Sequence, residues 1–182
     1  MTDKLTFQPS WSVFLAAILM AFVAACGTDD GGAASGDQEI IPKVTATDRI
    51  YDVEDLRAAG AKASKEYDVS GLPGAISAWR ALYNQKQFEA RFYAGHRAAV
   101  DDGTEWADHV TGEDGVVVGD DVLLTEGASD RRRCSRSVEH SGCNYSALYA
   151  DYVILGNMIL LCEGIDAEEA QLSCRALIDR LP

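Results

Sequence analysis

The 182-residue sequence predicts an α+β fold: a single compact domain, mainly antiparallel sheet with helices packed on one face, held by two disulfides. Three observations carry this expectation. Segments of strand and helix periodicity follow one another without the strict alternation of a parallel α/β fold. In "DYVILGNMILLCEG" two apolar runs flank Gly156-Asn157, a two-residue connection with glycine first that suits a type II′ hairpin turn. Cysteines 134, 143, 162 and 174 form an even set in the last third of the chain.

The elements are expected in this order. Asp52 caps a short helix over residues 53–59 that Gly60 stops, and residues 62–69 follow as a strand. Residues 70–74 turn, and residues 75–83 present Ile76, Trp79 and Tyr83 at the spacing of a short helix. "QFEARFYA" alternates Phe88, Ala90 and Phe92 against Glu89, Arg91 and Tyr93, the pattern of a half-buried strand. A helix then places Ala99, Gly103, Trp106 and Val110 on one face and ends at Gly112, and "GVVVGDDVLL" supplies one or two further strands. After the hairpin, Asp166 and Glu169 are spaced as a capping box, and Ala170, Cys174, Leu177, Ile178 and Leu181 recur at helical spacing. That helix turns Cys174 toward the strand carrying Cys162, so local geometry favours the pairs Cys134–Cys143 and Cys162–Cys174 among the three possible connectivities.

The amino terminus has a different character. Residues 13–25 are an unbroken apolar run, preceded by Lys4 and the free amino group. The run is shorter than the ~18 residues expected of a spanning helix, and it reads as a signal-peptide core. Val23-Ala24-Ala25-Cys26 resembles the lipobox of bacterial lipoproteins. The resemblance implies a diacylglycerol on the Cys26 thiol, cleavage before it, and a mature chain beginning at Cys26. It covers only about the first 30 residues. Gly27, where inner-membrane retention often uses Asp, implies an outer-membrane or outward-facing address. Ordinary secretory cleavage and an uncleaved short anchor are the alternatives. Residues 27–39, "GTDDGGAASGDQE", carry no large apolar side chain and read as a tether. The expected organisation is therefore a signal peptide over 1–25, lipidated Cys26 and tether over 26–40, and a globular domain over 41–182.

The net charge is −13, and removal of residues 1–25 takes away one acidic and one basic side chain, leaving it unchanged. That balance argues against nucleic acid and against attraction to anionic lipid. No nucleophile elbow, Ser-x-x-Lys, Cys-x-x-Cys or phosphate-binding glycine loop is present in the sequence, and no cofactor is expected. Three constellations have chemical potential. "CSRSVEHSGC" sets His140 between Cys134 and Cys143, a zinc or copper ligand set if reduced, although a disulfide-closed loop suits an exported chain better. Asp101, Asp102, Glu105, Asp108, Glu113, Asp114, Asp120 and Asp121 crowd one stretch; Asp101, Glu105 and Asp108 share a helical face able to collect calcium or simply to be solvated. "DRRRCSR" gathers Arg131, Arg132, Arg133 and Arg136, suited to carboxylate or phosphate or to balancing acidic neighbours in the same molecule. The aromatic residues Trp79, Tyr83, Phe88, Phe92, Tyr93 and Trp106 belong to the core by periodicity, and His96 and His109 lie at opposite ends of one helix.

The expected function is a lipid-anchored envelope protein whose domain binds a protein or anionic envelope partner, with Arg131, Arg132, Arg133 and Arg136 as its interaction site. The alternative is an envelope hydrolase or metal-dependent enzyme with dispersed catalytic residues.

Overall fold

The computed structural model describes residues 41–122, 125–136 and 141–182, apart from the side chains of residues 135, 136 and 141–144. The signal segment, Cys26, the tether and His140 lie outside the described residues. The main sheet contains β1 (Val44–Thr45), β2 (Lys62–Tyr67), β3 (Ala75–Tyr83), β4 (Lys86–Tyr93), β7 (Tyr149–Leu155) and β8 (Met158–Glu163). β5 (Arg132–Arg136) and β6 (Ser141–Ala147) form a separate two-stranded ribbon. The helices are α1 (Val53–Ala58), α2 (His96–Asp108) and α3 (Ala167–Ile178), with a 3-10 turn at Thr125–Arg131. The architecture is α+β, as expected, and the six strands run in the order β1-β7-β8-β4-β3-β2, antiparallel except for the β1–β7 pair.

The helices divide between the two faces of this sheet rather than sharing one. Along β8 the side chains alternate: Met158, Leu160 and Cys162 join Leu56 of α1 and Ala170, Cys174 and Leu177 of α3. Ile159 and Leu161 join Ala99 and Ala107 of α2. A strand buried on both sides has no polar face, which is why residues 158–162 read as a continuous apolar run.

Local signals explain the elements at both ends. Asp52 accepts from the backbone of Glu54 and Asp55 while the Asp55 carboxylate returns a bond to the Asp52 amide, a complete capping box for α1. For α3, Asp166 accepts from the Glu169 amide at 2.8 Å, but the Glu169 carboxylate reaches past the cap to the Ile165 amide at 2.6 Å. Cys174 on α3 is bonded to Cys162 on β8, with the Cα atoms 5.5 Å apart.

The hairpin turn at Gly156-Asn157 has φ = +55° at Gly156, as its sequence demands. It also gathers remote chain segments. Asn157 is buried; its Oδ1 accepts from the Tyr51 amide at 2.7 Å, and its Nδ2 donates to the carbonyls of Tyr51 and Tyr93, both at 3.0 Å. His96 Nδ1 donates to the Gly156 carbonyl at 2.9 Å, so the start of α2 is fastened to the same turn.

Three expectations are corrected. Residues 75–83 form strand β3, not a helix, because both edges are occupied: β2 pairs on one side and β4 on the other. Asn84 and Gln85 turn β3 into β4 with φ = +47° and +64°, the signs of a type I′ hairpin. Residues 115–122 of "GVVVGDDVLL" are coil and turn rather than strand, while Leu123 and Leu124 lie outside the described residues. In α2 the packed face is Ala99, Gly103 and Ala107, and Trp106 stands half-buried with its ring edge toward His109.

Candidate functional site

β4 runs through the middle of the sheet and is buried on both faces, so Glu89 and Arg91 do not meet solvent as a half-buried strand would have them do. Phe88, Ala90 and Phe92 point to the α3 side. On the opposite side Glu89 and Arg91 stand two residues apart under the segment that carries the 3-10 turn and the arginine run. Arg131 enters from that segment with 1% of its surface exposed, and Glu89 has none. The Arg131 Nε donates to Glu89 Oε2 at 2.7 Å and its Nη2 to Oε1 at 2.9 Å, a bidentate pair. Arg91 Nε donates to Glu89 Oε1 at 2.8 Å.

A second group surrounds this triad. Asp130 Oδ2 accepts from Tyr67 Oη at 3.0 Å and from Lys65 Nζ at 3.2 Å, and its Oδ1 accepts from Arg80 Nη1 at 3.4 Å. Gln87 Nε2 donates to the Asp130 carbonyl at 2.7 Å and to Tyr149 Oη at 3.0 Å. The 3-10 segment is thus attached to the sheet mainly by ionic and hydrogen bonds.

The electrostatics follow from the packing. Burial alone would raise the Glu89 pKa, but the guanidinium groups of Arg131 and Arg91 outweigh it and hold the carboxyl down to about 2. Burial would lower that of Arg131, and the Glu89 carboxylate reverses this and raises it. Burial pushes the phenols of Tyr67 and Tyr149 well above their ordinary value, with the carboxylate of Glu89 adding to the rise in both. At neutral pH the centre therefore contains ionised Glu89 and Arg131 beside neutral Tyr67 and Tyr149.

The expected arginine interaction site is dispersed by the fold. Arg131 is committed to Glu89 and is withdrawn from any partner, a correction that follows from the cost of burying an unpaired carboxylate. Arg132 is half-buried, and the Arg136 side chain lies outside the described residues. Arg133 is half-buried and donates through Nη2 to the carbonyls of Gly164 at 2.5 Å and Ala147 at 3.4 Å. It borders a cleft of about 450 Å³ shared with Glu113, Ser146, Ala150, Ile165 and Asp166, between the foot of the β5–β6 ribbon and the start of α3. Ile165 is 76% exposed there.

The remaining candidates are separated. Cys134 and Cys143 occupy directly opposed positions of the β5–β6 ladder, the register that a cross-strand pair requires; the Cys143 side chain lies outside the described residues. His96 and His109 are engaged by backbone carbonyls, those of Gly156 and Asp121. Among the acidic residues, Asp108 accepts from Tyr152 Oη at 2.7 Å and Asp101 pairs with Arg97 at 3.1 Å. Among the described residues no three His, Cys, Asp or Glu side chains are grouped to hold a metal ion, and no helix is long and apolar enough to cross a membrane.

Sequence reasoning missed the ionic centre because Glu89 and Arg91, read along the strand, look like a solvated face. The run of arginines held the counterpart, but nothing local distinguishes Arg131 from its neighbours.

A family model described as a family of unknown function matches residues 52–182. No curated protein and no solved structure matches the chain.

Proposed function

We propose, for a chain that belongs to the Family of unknown function (DUF6810), that it is a lipid-anchored extracytoplasmic protein whose domain is a non-enzymatic binding module of the cell envelope. The observation that carries the proposal is the Cys162–Cys174 bond, buried between β8 and α3. Such bonds persist in oxidising compartments, and the chain supplies a route to one in its apolar segment and Val23-Ala24-Ala25-Cys26. A diacylated Cys26 would hold durably, since each buried methylene contributes ~0.8 kcal/mol and two chains anchor where one does not. The address is the outer membrane or the outer face of the cytoplasmic membrane.

The binding reading is supported by how the ionisable groups of the core are used. Both oxygens of Glu89 and both of Asp130 are occupied by donors from the same chain, which fixes the fold rather than poising a proton. The surface best shaped for a protein or anionic envelope partner is the cleft beside Arg133, where exposed Ile165 offers an apolar contact.

The test is to express the full chain in a bacterial host with an alkyne fatty acid. Label on the wild type that disappears in Cys26→Ser, with release of that variant from the membrane fraction, supports the anchor; an unlabelled, released wild type overturns it. A photo-cross-linker at Ile165 should then give a discrete adduct that Arg133→Glu weakens severalfold and a cross-linker at Glu54 does not give. Equal labelling from both positions defeats the assignment of the cleft.

A further inference from the structure

We propose that the floor beneath Thr125–Arg131 is a guanidinium-binding site that the chain fills with its own Arg131, and that an arginine side chain of a partner protein displaces it. The shape of the site is the first reason. Glu89 receives the guanidinium bidentately, at 2.7 and 2.9 Å, and the Tyr67 ring lies with its centroid 5.6 Å from Cζ. Carboxylate and ring belong to β4 and β2, so they stay in place when the 3-10 segment moves. The room for the ligand is the volume that the Arg131 head group occupies. A lysine ammonium has neither the two-pronged geometry nor the planar face that this floor fits.

The attachment of the cover is the second reason. The segment buries only Gly127 and Arg131, and none of its described side chains belongs to either apolar cluster of the core. Its other ties are polar. Asp130 accepts from Tyr67, Lys65 and Arg80 through its carboxylate and from Gln87 Nε2 through its carbonyl. Glu126 accepts from the Asp68 amide at 3.0 Å and lies 3.7 Å from Lys65, and the Arg131 carbonyl accepts from the Leu148 amide at 2.7 Å. Lys65, Arg80 and Asp130 are half-buried and Glu126 is exposed, so each of these ion pairs contributes little. A segment held this way opens at a lower free energy than the whole domain.

The third reason is the balance of the exchange. A partner's arginine forms the same bidentate pair that Arg131 gives up, so the exchange costs only the polar ties of the segment. The net charge of −13 favours the approach of a cationic partner. Gly127 offers a way to loosen the latch: a Cβ there would come within 2.9 Å of Arg131 Nη2 and 3.1 Å of its Cζ, which displaces the guanidinium. This site is independent of the anchor and of the cleft at Arg133.

The experiment is hydrogen exchange read by mass spectrometry on the full chain in detergent, with N-acetyl-arginine amide as the probe and N-acetyl-lysine amide at equal concentration as the control. Exchange at residues 126–131 should quicken about fivefold and saturably with the arginine derivative alone, while exchange in β4 stays unchanged. Gly127→Ala, which leaves the floor intact, should lower the half-saturating concentration about threefold by raising the open population. In calorimetry Arg131→Ala should bind ethylguanidinium and not ethylammonium; equal binding or none overturns the proposal. An exchange effect that is absent, matched by the lysine derivative or spread to β4 also overturns it, as does a Gly127→Ala response equal to that of the wild type. If Arg131→Ala does not fold, the wild type and Gly127→Ala decide.

Discussion

Arg131 lays its guanidinium across both oxygens of Glu89, at 2.7 and 2.9 Å, from a segment 42 residues further along the chain. This pair, with Arg91 on the same carboxylate, fastens the 3-10 turn to the centre of the sheet. Removing the carboxylate leaves two buried guanidinium groups facing each other without compensation. Glu89→Gln should therefore cost about 3–5 kcal/mol in urea unfolding. Replacing all three residues by apolar side chains of similar volume should recover most of that loss; a triple variant as unstable as the single one would show that charge is not what matters there.

The same carboxylate sets an acid limit. Its pKa is depressed from an ordinary 4.5 to about 2, so the stability it contributes is complete above the higher value and is lost as pH falls toward the lower one. The depression corresponds to roughly 3 kcal/mol. Urea midpoints measured across that window should fall steeply for the wild type and much less for Glu89→Gln.

The disulfide contributes in a different way. Cys162 and Cys174 are 12 residues apart, and closing a loop of that size lowers the entropy of the unfolded chain by about 3 kcal/mol in the loop-entropy account. Both cysteines are buried, so Cys162→Ala with Cys174→Ala should also lose packing. The expected sum is about 3–5 kcal/mol, read from thermal unfolding, and dithiothreitol should act only once the domain opens.

What the sequence made legible was local. Gly156-Asn157 between two apolar runs, Asp52 and Asp166 as helix caps, and Cys174 placed toward Cys162 all act within a few turns of the chain, and each appears in the structure where its chemistry puts it. What was not legible depends on remote partners. Ile76, Trp79 and Tyr83, at helical spacing, suggest a helix until β2 and β4 are present on either side. Glu89 and Arg91 suggest a wet face until Arg131 arrives to cover them. The one overlooked local signal was Asn84, whose tolerance of positive φ marks a tight hairpin between residues 83 and 86.

Asn157 shows how a turn residue can hold the fold together beyond its own hairpin. Its side chain satisfies the Tyr51 amide and carbonyl and the Tyr93 carbonyl in a site closed to solvent. Asn157→Ala keeps the turn but strands those groups, each of which costs ~1–3 kcal/mol when buried without a partner. Hydrogen exchange should quicken first at Tyr51, with a total loss of about 2–4 kcal/mol. Asn157→Asp should not rescue, since a carboxylate cannot donate to the two carbonyls.

The β3–β4 turn offers a gain instead of a loss. Gln85 sits at φ = +64° with no hydrogen bond from its side chain to hold it there, and a side chain other than glycine, asparagine or aspartate pays for that conformation. Gln85→Gly removes the steric cost but adds freedom to the unfolded chain, and the two effects oppose each other. The steric cost is roughly 1–2 kcal/mol and the entropic one roughly 0.4–1, so the variant should be more stable by up to about 1 kcal/mol. Gln85→Val, β-branched at the same angle, should be less stable than the wild type by a similar amount. If both substitutions shift the urea midpoint in the same direction, the positive φ at Gln85 is not the quantity that controls this hairpin.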